Sequence, residues 1–128
     1  MYHVKINSDI SKSEVPDLRE SVGWDRHDQL YPELLDHIYF WGAVRDHQGK
    51  LIAFGYVSSP GNLHGYMEDI IVHPDYQRKG IGVKLVRRLL EEANLRKLDH
   101  VSATFQEKHQ AFYKRCGLKP CSAGIWKR

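Results

Sequence analysis

Between Gly65 and Phe105 the chain reads as a strand, a glycine-bearing loop, an amphipathic helix and a second strand, and this succession constrains the fold more than any other feature. The helix is predicted from Ile81 to about Lys97. Ile81, Leu85, Val86, Leu89, Leu90 and Ala93 share one face, while Lys84, Arg87, Arg88, Glu91 and Glu92 lie mostly elsewhere. Strands joined through such a helix pair as parallel neighbours, so Gly65–Val72 and His100–Phe105 are predicted to lie side by side.

The segments upstream favour antiparallel pairing. Phe40–Arg45 and Leu51–Val57 are strand-like and separated by Asp46-His47-Gln48-Gly49-Lys50, a gap suited to a hairpin, and Ser58 to Asn62 reads as a further turn. Tyr2 to Ile6 alternates apolar and polar residues as a half-buried strand does. Ser11 or Ser13 can cap a helix through about Val22, with Glu14 and Asp17 in its first turn and Gly23 as its stop. Pro32 can open a second short helix, Glu33 to about Tyr39. Gln106 to Cys116 is predicted helical with Phe112 and Cys116 on one face, and Leu118 to Lys127 is predicted to add one or two final strands. The fold class expected is mixed α/β: a mostly antiparallel sheet with a central parallel pair and helices on both faces. Neither a linker nor a repeat interrupts residues 1–128, which read as one domain.

Composition narrows the function classes. With 41% apolar and 27% charged residues the chain has the balance of a soluble globular protein, and no apolar run approaches the ~20 residues that cross a bilayer. The N-terminal Met1-Tyr2-His3-Val4-Lys5-Ile6 lacks the apolar segment of a secretory signal, so a cytoplasmic location is expected. Cys116 and Cys121 make neither a disulfide framework nor a zinc set, and the eight histidines lack metal-ligand spacing, so no metal is expected. A formal charge of +3 is too small to argue for nucleic acid.

The chemistry concentrates at Gln77-Arg78-Lys79-Gly80-Ile81-Gly82, between a strand and the mouth of a strong helix. A helix start exposes free N–H groups at the positive end of the dipole, which favours anions. Gly80 and Gly82 are predicted to let a phosphate approach the main chain, with Arg78, Lys79 and Lys84 adding positive charge. The mononucleotide loop is excluded because Val83 follows Gly82 where Lys then Ser or Thr are required. The dinucleotide fingerprint is excluded because Leu85 stands where its third small residue belongs.

These residues resemble the Gln/Arg-x-x-Gly-x-Gly/Ala signature of the GNAT acetyltransferase superfamily, with the preceding strand ending Val72-His73-Pro74. Ala111-Phe112-Tyr113-Lys114-Arg115-Cys116-Gly117-Leu118 is similar to the second motif of that superfamily, Phe-Tyr-x-Lys-x-Gly-Phe. The resemblance runs from about Leu51 to Leu118 and implies an acyltransferase that uses acetyl-coenzyme A as acyl donor. It implies main-chain contacts from Ile70, Ile71 and Val72 to pantetheine, and a pyrophosphate cradle from Gln77, Arg78, Lys79, Gly80, Ile81, Gly82 and Val83. It implies also that Tyr113 protonates the leaving thiolate; a phenol of pKa ~10 is protonated at neutral pH. His109 stands where the motif often carries a coenzyme-binding Asn.

A protonated amine has to lose a proton before it attacks, and the superfamily often places a carboxylate near this strand. On a regular strand Glu68 and Asp69 point to opposite faces, Glu68 with Ile70 and Val72, Asp69 with Ile71. Glu68 is preferred as the base, with Asp69 or water as alternatives. Trp24, Tyr31 and Trp41 are candidates for an acceptor wall, although ordinary packing is the preferred reading for each. Within the superfamily the chain resembles glucosamine-6-phosphate N-acetyltransferase around Tyr66–Ile70, yet Thr104 stands where that group has a carboxylate. A small primary amine is therefore the acceptor expected first, an amino sugar second and a protein amine third. A coenzyme A-binding module without turnover is the alternative from another class. Neither nucleic acid nor membrane is expected as a partner, and a homodimer is compatible with the sequence.

Overall fold

The computed structural model describes residues 1–31 and 33–128. Five strands form one sheet in chain order: β1 (Lys5–Ile6), β2 (Phe40–Arg45), β3 (Leu51–Ser58), β4 (His64–Val72) and β5 (His100–Ser102). Neighbours from β1 to β4 are antiparallel, and β4 with β5 is parallel. The helices are α1 (Glu14–Ser21), α2 (Ile81–Leu95) and α3 (Gln110–Arg115). No helix among the described residues is long and apolar enough to cross a membrane.

The sheet carries a core on each face. On one side Ile81, Leu85, Val86, Leu89 and Ala93 of α2, each at most 3% exposed, pack on Phe40, Val44, Ile52, Val57 and Met67. On the other, Val15 and Leu18 of α1 join Phe54, Tyr56, Ile71 and Tyr31. Burying each large aliphatic side chain is worth about 1.5–3 kcal/mol. The predicted stripe of α2 is thus the one that is covered, and α2 is the crossover between the two parallel strands.

The helix ends have local causes. Ser13 stands at the α1 N-cap without a side-chain bond; instead the Ser11 N–H donates to the Glu14 carboxylate at 2.8 Å. Gly23, at φ +83°, ends α1, and the Trp24 N–H returns to the Arg19 carbonyl at 3.0 Å.

Five expectations are corrected. The second helix is a single 3₁₀ turn, Glu33–Asp36, and its expected opening at Pro32 lies outside the described residues. β1 is two residues long rather than five. β5 stops at Ser102, not Phe105. No strand forms among residues 118–128, where Ile125 and Trp126 are 71% and 84% exposed. A three-residue β5 offers almost no edge to template another strand, and Pro120 has no N–H to donate. The parallel pair consequently closes one edge of the five strands instead of lying at the centre.

The register of β4 on β3 breaks once. Phe54 faces Ile71 and Tyr56 faces Glu68, so Gly55 alone opposes both Asp69 and Ile70. This is a β-bulge, with Asp69 in the left-handed region at φ +54°. Gly55 leaves room for it: a Cβ there would stand 2.4 Å from Ile70 Cδ1 and 3.3 Å from Leu89 Cδ1, so these side chains would have to shift.

Candidate active site

β4 and β5 pair only at His64–His100, Gly65–Val101 and Tyr66–Ser102. Beyond Tyr66, β4 continues from Met67 to Val72 with no strand on that side among the described residues. A bulge bends the strand that carries it, and the one at Asp69 lies just past the parting point. The gap is a cleft of about 750 Å³. Asp69, Ile70, Ile71 and Val72 supply one wall; Thr104, Phe105, Phe112 and Tyr113 supply the other. Gln77, Arg78 and Gly80 to Val83 stand at one end, Val22 and Trp24 at the opposite margin.

The loop end is a cluster of unused donors. Gln77 folds back, its Nε2 donating to the Val72 carbonyl at 2.9 Å. Arg78 and Gly80 both have positive φ, +63° and +80°. The first helical bond is from the Lys84 N–H to the Gly80 carbonyl at 3.1 Å, and the N–H groups of residues 78–83 donate to no protein acceptor among the described residues. Such a run of N–H groups at a helix start is suited to an anion.

The two glycines have different reasons. A Cβ at Gly80 would meet nothing within 4 Å, so its left-handed φ is what demands glycine. A Cβ at Gly82 would stand 3.1 and 3.2 Å from Phe112 ring carbons and 3.6 Å from Val72 Cγ2. Gly82 is thus bare because α3 packs on the start of α2, not simply to leave room for a phosphate. Two of the cations also point elsewhere: Lys84 Nζ donates to the Tyr2 carbonyl at 3.0 Å, and Lys79 Nζ lies 5.7 Å above the Tyr76 ring, outside the cleft lining.

Tyr113 reaches the cleft from α3. Its ring stacks on Phe105 at 4.3 Å and 17° and meets Phe112 edge-on at 4.9 Å. The hydroxyl makes no hydrogen bond within the described residues, and burial, helped by the neighbouring Cys116 and Tyr66, pushes its pKa up to about 12. Tyr66 in turn contacts the Thr104 hydroxyl across the gap. His109 and Arg115 line the same wall.

The bulge changes the disposition of the two carboxylates. Regular alternation would put them on opposite faces; with one extra residue in β4, both lie on the α1 face and Ile70 crosses to the α2 face above Gly55. Asp69 Oδ2 accepts from Arg19 Nη1 and from the Tyr31 hydroxyl, each at 2.6 Å. Glu68 is exposed beside the cleft and accepts from the Tyr56 hydroxyl at 2.9 Å. Burial, and then these carboxylates, raise the pKa of Tyr31 and Tyr56, so both phenols remain donors.

The remaining candidates separate. Trp24 lines the cleft with the Arg19 guanidinium 5.3 Å from its ring centre. Tyr31 is buried under Asp69, and Trp41 lies away from the cleft, its indole donating to the Ser8 carbonyl at 3.0 Å. His73 is a turn residue whose Nδ1 accepts from the Asp75 N–H at 3.1 Å. Arg19, Tyr56 and Phe105 shape the site without any local sequence signal, because each acquires its role only through a partner distant in the chain.

Comparison with known proteins bears on the family and the fold. An uncharacterised N-acetyltransferase of Gracilaria tenuistipitata var. liui is 23% identical over 120 residues, 91% of this chain and 66% of that protein. The chain therefore spans just under two thirds of that relative's length. Glucosamine 6-phosphate N-acetyltransferase of Schizosaccharomyces pombe is 39% identical over 61 residues, 48% of this chain and 53% of its own. A protein of unknown function from meticillin-resistant Staphylococcus aureus superposes with a TM-score of 0.84 at 22% identity, covering 98% of this chain and 99% of its own, which is a likeness of fold. Residues 7–118 match the acetyltransferase (GNAT) family, and the chain belongs to it.

Proposed function

We propose that the chain, working as one domain over residues 1–128, is an acetyl-coenzyme A-dependent N-acetyltransferase whose acceptor is a small primary amine. The observation that carries this reading is the cleft where β4 and β5 part, with free N–H groups of residues 78–83 at one end and the Tyr113 hydroxyl in its wall. The residues present fit the donor: a pyrophosphate needs several converging N–H groups, and an amide-bearing arm needs an open strand edge. Gln77 to Val83 would hold the first, Ile70, Ile71 and Val72 the second, and His109 supplies a further polar group in the wall.

Bound there, acetyl-coenzyme A supplies a thioester whose acyl carbon an amine attacks with loss of the thiolate. Glu68 takes the proton of the amine, directly or through water, being an exposed carboxylate beside the cleft. Asp69 is a weaker candidate because one of its oxygens already accepts two hydrogen bonds. Tyr113, in the cleft wall, would donate to the leaving sulfur. With a pKa pushed up to about 12 it is a weaker acid than an ordinary thiol of ~8.5. Its contribution would be a hydrogen bond donated to the developing thiolate, with the proton passing to the sulfur only where the site makes that thiolate the stronger base.

Free-thiol release from acetyl-coenzyme A across an amine panel tests the reading. Amine-dependent release is expected for small primary amines; steady binding of the donor with no amine-dependent release would leave a coenzyme-binding module. An amino-sugar acceptor is the second reading, favoured by the 39% identity over 61 residues to the Schizosaccharomyces pombe enzyme. Thr104, engaged with Tyr66, stands against it, since the expected strand carboxylate is missing.

A further inference from the structure

The cleft is electrically two-ended, and we infer that its acceptor end selects an unphosphorylated amine, cationic and with an apolar body, and rejects acceptors that carry a phosphate. This rests on the transferase reading above, which it refines by naming the acceptor's charge. At the loop end the cleft is lined by Arg78 and by N–H groups without acceptors, and Lys108 and Arg115 line it from the α3 side. From Asp69 to Val72, β4 runs about 10 Å at ~3.3 Å per residue, so the α1 margin lies well away from that loop.

The charge at the α1 margin is opposite. The bulge sets Glu68 and Asp69 side by side on the α1 face, where a regular strand would have divided them. Glu68 has no cation within ion-pair distance among the described residues; its one partner is the neutral Tyr56 hydroxyl at 2.9 Å. The adjoining cation, Arg19, is already paired with a carboxylate. Its Nη1 donates to Asp69 at 2.6 Å, its Nε donates to the Asp25 carbonyl at 2.6 Å, and its guanidinium lies 5.3 Å from the Trp24 ring centre. Arg26, the next cation along, is held by Asp17, Glu20 and Asp28 at 2.8, 3.1 and 3.0 Å. A phosphate brought to this margin would meet an unpaired carboxylate and only guanidinium groups whose charge is already balanced by carboxylates. A cationic amine would meet Glu68, with Val22 and the Trp24 ring to receive its body.

The test uses the full chain saturated with coenzyme A and two matched pairs: glucosamine against glucosamine 6-phosphate, and tyramine against its O-phosphate. Affinity is read by calorimetric titration, separately from thiol release with acetyl-coenzyme A. The unphosphorylated member of each pair is expected to bind at least tenfold more tightly, and the margin to shrink as salt rises. Asp69→Asn, which removes the negative partner of Arg19, should narrow the ratio several-fold; the salt dependence of the wild-type protein carries the same information if that variant does not fold. Tighter binding of either phosphorylated member, or no binding of any of the four, would overturn the inference. Selective binding of the unphosphorylated members without thiol release would uphold it and refute the transferase reading instead.

Discussion

Replacing Gly82 by Ala separates two opposing effects that the structure allows to be weighed. Gly82 is the second residue of α2, and alanine in a helix is favoured over glycine by at most about 1 kcal/mol. Against this, the new Cβ would stand 3.1 and 3.2 Å from two carbons of the Phe112 ring. The ring is a stiff, partly buried group that also touches Tyr113, so relief requires α3 to move by a few tenths of an ångström. Overpacking of this kind costs about 1–3 kcal/mol. The net expectation is destabilisation by ~1 kcal/mol, a fall in Tm of about 3–6 °C for a domain of this size. Thermal unfolding without ligand measures it. The same substitution in a Phe112→Leu background, where the ring is gone, should become neutral or stabilising. If Gly82→Ala raised the Tm of the wild-type protein, or cost the same in both backgrounds, the packing account of Gly82 would be wrong.

Tyr113→Phe should lower turnover by about 10²–10⁴-fold with little change in donor affinity, because the hydroxyl makes no protein hydrogen bond and the ring stack on Phe105 is kept. With the pKa of this phenol pushed up to about 12, it stays protonated through pH 10, so kcat/KM should show no falling limb from it below that pH. Lys79→Ala should change acetyl-coenzyme A affinity less than threefold by calorimetry, since its ammonium lies over Tyr76 and not in the cleft; a larger loss would return it to the phosphate cradle. Hydrogen bonds from Arg45, at 2.5 and 2.8 Å, hold the Glu14 carboxyl down to about 2 from 4.5. A depressed folded value contributes stability above pH ~4.5 that is lost as pH falls towards 2, so Glu14→Gln should flatten the acid limb of a Tm–pH curve over that window.

What could be read from the chain alone was what depends on residues close together in sequence. The apolar stripe of α2, the Gly23 stop of α1 and the hairpin between β2 and β3 are each set within a few residues. The two motifs at Gln77–Gly82 and Ala111–Leu118 carried the family for the same reason. The disposition of the carboxylates was not legible. Alternation is a property of a regular strand, and whether β4 is regular depends on Gly55, some fifteen residues upstream, facing Asp69 and Ile70 together. The reason for Gly82 was hidden likewise, because its neighbour Phe112 arrives from α3. The tail from Leu118 has strand-like residues, but a strand needs an edge to pair with, and β5 ends too soon to provide one. Local backbone preferences are fixed by sequence neighbours; which groups meet across the cleft is fixed by strand register and helix packing, which only the assembled chain decides.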